Sequence, residues 1–353
     1  MPLPAASFNL SLCLLSLHGR GDKNMNTLWT LALASLVAVS STALAKEPEQ
    51  PKDCGPPQQL ASVDLTIAGA VLVPVTLEGK SAWMVLDTAN GWSMLNMQAA
   101  TDFGLTLSDM PYGAIVNVGN DHVRNVAVIN SFAIGNFEYR KSKMMVTPQA
   151  TALHVVAGRP VVGHMGQDFF AAVDFELDFA KHKLNLFSQD HCPGKVVYWA
   201  DSFQSVPLLR SITGEYFFPM ELDGKKVEAA LAISSPETSL TTDVTEKLYG
   251  FDENSAGVEA QPAAAGASAA HYRAMKLTAS GLHAEDVKVT LRAPNKHCKM
   301  QVGMVRKSRA AGYGADCLGV FPLLLGRNVL EGLHLYFATR ENVLYFTPAS
   351  AAK

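Results

Sequence analysis

The chain repeats itself, and the repeat limits what it can fold into. Phe217-Phe218-Pro219-Met220-Glu221-Leu222-Asp223-Gly224-Lys225-Lys226-Val227 parallels Val73-Pro74-Val75-Thr76-Leu77-Glu78-Gly79-Lys80-Ser81-Ala82. Leu323-Leu324-Leu325-Gly326-Arg327-Asn328-Val329-Leu330 parallels Met165-Gly166-Gln167-Asp168-Phe169-Phe170. Leu333 to Phe337 with Val343 to Phe346 repeats the alternating pair Val173 to Phe179 and Lys183 to Phe187. Similarity of this kind means that one supersecondary plan is used twice. Two similar halves, joined near Gln189 to Val206, are expected.

The plan is made of strands. Ser62 to Ile67 and Gly69 to Leu77 are rich in β-formers, and Glu78-Gly79-Lys80 is a turn into the next apolar run. Ile115 to Val118, the turn Gly119-Asn120-Asp121 and Val123 to Ile129 read as a hairpin. Phe132 to Ile134 and Lys143 to Val146 flank the turn Gly135-Asn136. Long helical periodicity is absent, so the expected class is all-β. The short helix after Gly166 is expected to be capped by Asp168, and its counterpart by Asn328, since both residue types cap helices well. Ser255 to Ala270 is dominated by Ala, Gly and Ser and is expected to be a mobile loop.

Composition narrows the function. A 48 % hydrophobic, 17 % charged chain suits a packed globular protein, and a net charge of -3 gives no electrostatic footprint for nucleic acid. Leu28 to Val39 has signal-peptide length, too short to span a membrane, and Ala43-Leu44-Ala45 offers a cleavage site before Lys46. The expected organisation is a leader over 1–45, with 1–24 as a start extension before Met25, and a Pro-rich arm over 46–60. A first lobe over 61–190, a linker over 191–206 and a second lobe over 207–350 follow. The mature protein is expected to be periplasmic or secreted and free of the membrane.

Cysteine usage fits export. Without the leader, Cys54, Cys192, Cys298 and Cys317 remain, an even set that suits an oxidising compartment. They allow three pairings. Cys298 with Cys317 would close a local loop worth roughly 3 kcal/mol, and Cys54 with Cys192 would tie the arm to the segment after the first half. Zinc is the alternative, but no close Cys-x-x-Cys pair is present.

The chemistry centres on Val85-Leu86-Asp87-Thr88-Ala89-Asn90-Gly91, reached through Ala82-Trp83-Met84. A strand ending in Asp-Thr and a small-residue turn holds a carboxylate at a backbone bend. This loop, the Gly166-Gln167-Asp168 element and their downstream echoes resemble the bacterial retropepsin-like, pepsin-like aspartic peptidases over about 62 to 348. The resemblance implies two β-barrel lobes with a cleft between them. It implies Asp87 as catalytic carboxylate, Thr88 as loop support and the hairpin around Gly119 as a flap.

Such chemistry needs two carboxylates sharing one proton, one activating water and the other polarising the carbonyl. Anchoring on the shared exit, Ser239-Leu240 against Ser93-Met94, places Ile233 opposite Asp87 and Ser234 opposite Thr88. Asp223 and Asp243 fall outside that loop. The expected function is therefore an exported protein whose cleft binds extended peptides or unfolded segments and lacks the complete dyad. The alternatives are an active endopeptidase pairing Asp87 from two molecules of a homodimer, and a structural or partner-docking protein. No cofactor or metal is expected: the ten histidines show no ligand spacing and read as surface or packing residues. Gly312-Tyr313-Gly314 reads as a turn, and Ser234 and Ser235 lie outside any Gly-x-Ser-x-Gly elbow.

Overall fold

The computed structural model describes residues 54–110, 116–118, 121–148, 152–211, 214–261, 269–294 and 321–349. The leader, Cys298, Cys317 and Gly312-Tyr313-Gly314 lie outside them. The described residues all fall within one compact unit, Gln50–Lys353.

Two barrels are built on one plan. In the first, Ala70–Leu77 pairs with Lys80–Leu86, which pairs with Arg159–Met165, then Met94–Leu95, Phe137–Val146 and Asn125–Ile134, which returns to Ala70–Leu77. In the second, Tyr216–Leu222, Lys225–Leu231, Leu323–Leu325, Thr238–Thr241, Leu282–Arg292 and Ala270–Ala279 close the same circuit. Closure removes unpaired sheet edges without long helices. The first hairpin of each barrel turns through two residues at positive φ, Glu78 and Gly79 in one, Asp223 and Gly224 in the other. That geometry matches the right-handed twist of the flanking strands.

A third, six-stranded sheet joins the barrels, in the order Gln59–Asp64, Lys183–Phe187, Asp174–Asp178, Leu333–Ala338, Val343–Pro348 and Gln204–Pro207. It receives the terminal hairpin of each half. At its centre Phe175 stacks on Phe337 with ring centroids 4.2 Å apart, and Phe170 packs against Phe175 at 4.1 Å. These rings belong to one apolar cluster that runs through both barrels.

The segment between the halves is bound to the body. Val196 and Trp199 are buried, and Trp199 Nε1 donates to Thr347 Oγ1 at 3.0 Å. Cys54 is bonded to Cys192. The hairpin expected around Gly119 is present in the backbone as Val116–Val118 paired with Asp121–Val123. The loop expected over Ser255 to Ala270 is partly structured: Asp252 and Ser255 bond each other, and Glu259–Gln261 pairs with the following strand. The remainder, 262–268, lies outside the described residues.

Candidate functional site

Asp87 follows the last residue of a buried strand. Leu86 is fully buried and Asp87 N still donates to Met165 O at 2.9 Å, so the backbone is held before the chain turns. The turn closes with Asn90 N donating to Asp87 O at 3.3 Å. Gly166 lies beneath, where an added Cβ would stand 2.5 Å from the Trp92 carbonyl carbon, so no side chain fits. Asp168 Oδ1 accepts from Phe169 N, Ser93 N and Ser93 Oγ at 2.9, 2.8 and 2.6 Å. It is the helix cap expected from sequence and also a brace for the exit of the Asp87 loop.

The second barrel repeats this scaffold bond for bond, which fixes the register between the loops. Ala232 N donates to Leu325 O as Asp87 N does to Met165 O, and Ser235 N donates to Ala232 O as Asn90 N does to Asp87 O. Arg327 N and Asn328 N donate to Ser235 O and Pro236 O; Gln167 N and Asp168 N donate to Asn90 O and Gly91 O. Thr238 N and Oγ1 both donate to Asn328 Oδ1 at 2.8 Å, as Ser93 does to Asp168. The counterpart of Asp87 is therefore Ala232. Ile233, expected from sequence to stand there, is the counterpart of Thr88, and Ser234 that of Ala89. The expectation slipped by one residue because Thr238, not Ser239, is the equivalent of Ser93. Asn328 is likewise a brace and not a cap, since the helix Arg327–Leu330 has Gly326 at its N-cap with no side-chain bond.

The loops are tied together from one side. The buried Thr88 hydroxyl donates to Leu231 O at 2.6 Å and accepts from Ile233 N at 3.3 Å. Ile233 has no hydroxyl to return the bond. Glu215, buried in the second barrel, accepts from Gly91 N at 3.0 Å and from Ser211 Oγ. Arg327, also buried, donates to Gly69 O at 2.8 Å. Gln167 Nε2 supports the loop from below by donating to Thr88 O at 2.9 Å.

At the carboxylate, Ser234 Oγ donates to Asp87 Oδ1 at 3.2 Å, and His164 Nδ1 lies 3.7 Å from Asp87 Oδ2. The Asp87 side chain is 17 % exposed and that of His164 48 %, so the site opens to solvent on the histidine side. Sequence reasoning missed both neighbours. Ser234 was hidden by the slipped register, and His164 offers no motif because it reaches Asp87 across a parallel strand pair in which it stands beside Val85.

Two other histidines depart from the surface or packing role expected of them. His191 Nε2 lies 2.6 Å from Asp174 Oδ2 and His334 Nε2 lies 2.7 Å from Glu176 Oε1, with all four side chains buried. The hydrogen bond from Asp174 raises the His191 pKa above its ordinary 6.5, against burial, which lowers it. Glu176 also accepts from Tyr198 at 2.5 Å, and Trp199 stacks on His334 at 4.0 Å. Glu176, Asp178 and His334 lie close enough together to suggest a metal site. Yet His334 turns its two nitrogens to different carboxylates, with Nδ1 3.9 Å from Asp178, and Lys181 Nζ lies 3.0 Å from that carboxylate. A metal would take one nitrogen and displace Lys181, so the group is better described as a hydrogen-bonded network under the joining sheet.

Residues 73–169, which include the Asp87 loop and Asp168, match the aspartyl protease family model. Among solved structures the fold is similar to an aspartic proteinase from Irpex lacteus at a TM-score of 0.50 and 11% identity, covering 82% of this chain and 98% of that one. No curated protein sequence matches the chain. The chain is thus aspartic-peptidase-like: in fold over both barrels, and in sequence over the first.

Proposed function

We propose that this is an exported peptide-binding protein on the aspartic-peptidase fold, whose cleft between the barrels takes an extended peptide and whose two-carboxylate hydrolysis is lost. The observation that supports it is Ala232 in the place matching Asp87, inside loops whose backbone bonds are otherwise preserved. An alanine methyl neither holds a proton nor polarises a carbonyl, so the acid half of the relay has no group at that position. The loop scaffold around it is nonetheless kept, which supports a cleft that captures a peptide by strand addition without hydrolysing it. The leader-like N-terminus and the Cys54–Cys192 bond are in keeping with an oxidising compartment. A homodimer that pairs two Asp87 loops is disfavoured, because Thr88, Gly91 and Gly69 are already bonded to the second barrel.

The test is incubation of the purified mature chain with unfolded casein from acidic to neutral pH, with Asp87→Ala and a pepstatin-type inhibitor as controls. Casein is expected to bind and remain intact. Cleavage that disappears in Asp87→Ala would overturn the reading.

A further inference from the structure

We infer that Asp87 selects cationic groups, so that the cleft prefers a peptide presenting a basic side chain or a free amino terminus at its centre. This rests on the peptide-binding reading above. In a complete dyad the second acid occupies the face opposite the first. Here that place is taken by Ala232, buried and without a polar side-chain atom, and the facing loop offers Asp87 one hydroxyl, that of Ser234.

The polar surroundings favour positive charge. Ser234 donates to Oδ1, while Oδ2 faces His164 at 3.7 Å, too far for a hydrogen bond. His164 is half exposed and not hydrogen-bonded to Oδ2, so Oδ2 is available to a second donor. An ammonium or guanidinium there makes a charge-assisted bond in a site only 17 % open to water, where Coulomb attraction exceeds its value at a free surface. A neutral amide gains less, and an acid is repelled.

The experiment is fluorescence anisotropy with labelled extended peptides of one sequence, N-acetylated, carrying Lys, Gln or Glu at the central position. A fourth peptide has central Gln and a free amino terminus, with the label at the C-terminus throughout. The lysine peptide is expected to bind about tenfold more tightly than the glutamine one, which corresponds to one charge-assisted hydrogen bond. The glutamate peptide should be weakest, and the preference should shrink with salt. Asp87→Asn keeps the acceptor for Ser234 and should abolish the preference, while His164→Gln should keep it. If the free-terminus peptide alone gains, the cation is the terminal amine; a gain with central lysine assigns it to the side chain. Equal binding of all four, or a preference that survives Asp87→Asn, overturns the inference and leaves the peptide-binding reading standing. Failure of all four to bind overturns that reading as well.

Discussion

Removing the Thr88 hydroxyl should cost more stability than removing its methyl group, and the structure says roughly how much. Thr88→Val keeps the shape of a fully buried side chain and deletes the oxygen that bonds Leu231 O at 2.6 Å and Ile233 N at 3.3 Å. Both backbone groups then lie between the two loops without that partner. Leaving a buried polar group unsatisfied costs about 1–3 kcal/mol. The longer bond falls at the weak end, which gives about 2–4 kcal/mol for the pair. Thr88→Ser keeps the oxygen and loses a methyl, worth about 1 kcal/mol. Urea unfolding followed by tryptophan fluorescence reads both changes, with buried Trp83 and Trp199 as reporters in the first barrel and the joining segment. An unchanged slope with a lower midpoint would mark a change in stability rather than in unfolded-state compactness. Equal stability of Thr88→Val and Thr88→Ser would mean that the hydroxyl does not hold the loops together.

Other features make their own predictions. His191 carries a raised pKa through its bond to Asp174, so its contribution is fully present below pH 6.5 and is lost as pH rises through the raised value. The thermal midpoint should therefore fall from mildly acidic to mildly alkaline pH, and His191→Gln should flatten that part of the profile. Removing the Cys54–Cys192 bond, which spans 138 residues, should cost up to about 5 kcal/mol in the chain-entropy limit; equal unfolding midpoints with and without reductant would contradict this. Ile233→Asp buries a carboxylate at a fully buried position and should prevent stable folding, seen as loss of cooperative unfolding.

The architecture was legible because its signals are local. Glu78-Gly79 and Asp223-Gly224 mark the same hairpin in each half, and both occupy the left-handed conformations such turns require. The facing residue was misplaced by the choice of anchor. Counting forward from the two Gly turns leads from Asp87 to Ala232, whereas the Ser-apolar exit slips by one, since Thr238 substitutes for Ser93 and Ser239 follows it. A one-residue slip reverses which side chains face inward, so it changes chemistry while leaving the strand pattern plausible. His164 and the buried pairs Asp174–His191 and Glu176–His334 carry no spacing signal, because pairing across strands brings them together. Asp174, Glu176 and Asp178 alternate with apolar residues, a pattern that does not reveal their burial; all three are buried, and Glu176 accepts from Tyr198 of the joining segment.

The identity of the residue facing Asp87, Ala232, decides the chemistry of the site. It is tested most directly by a carbon-detected NMR titration of the side-chain carboxyls in Ala232→Asp, with the wild type as reference. Facing carboxylates cannot both ionise freely, so Ala232→Asp should give a coupled pair in which one carboxyl holds its proton well above the ordinary carboxylate range. An introduced carboxyl that titrates independently, with the Asp87 signal unmoved from wild type, would contradict it.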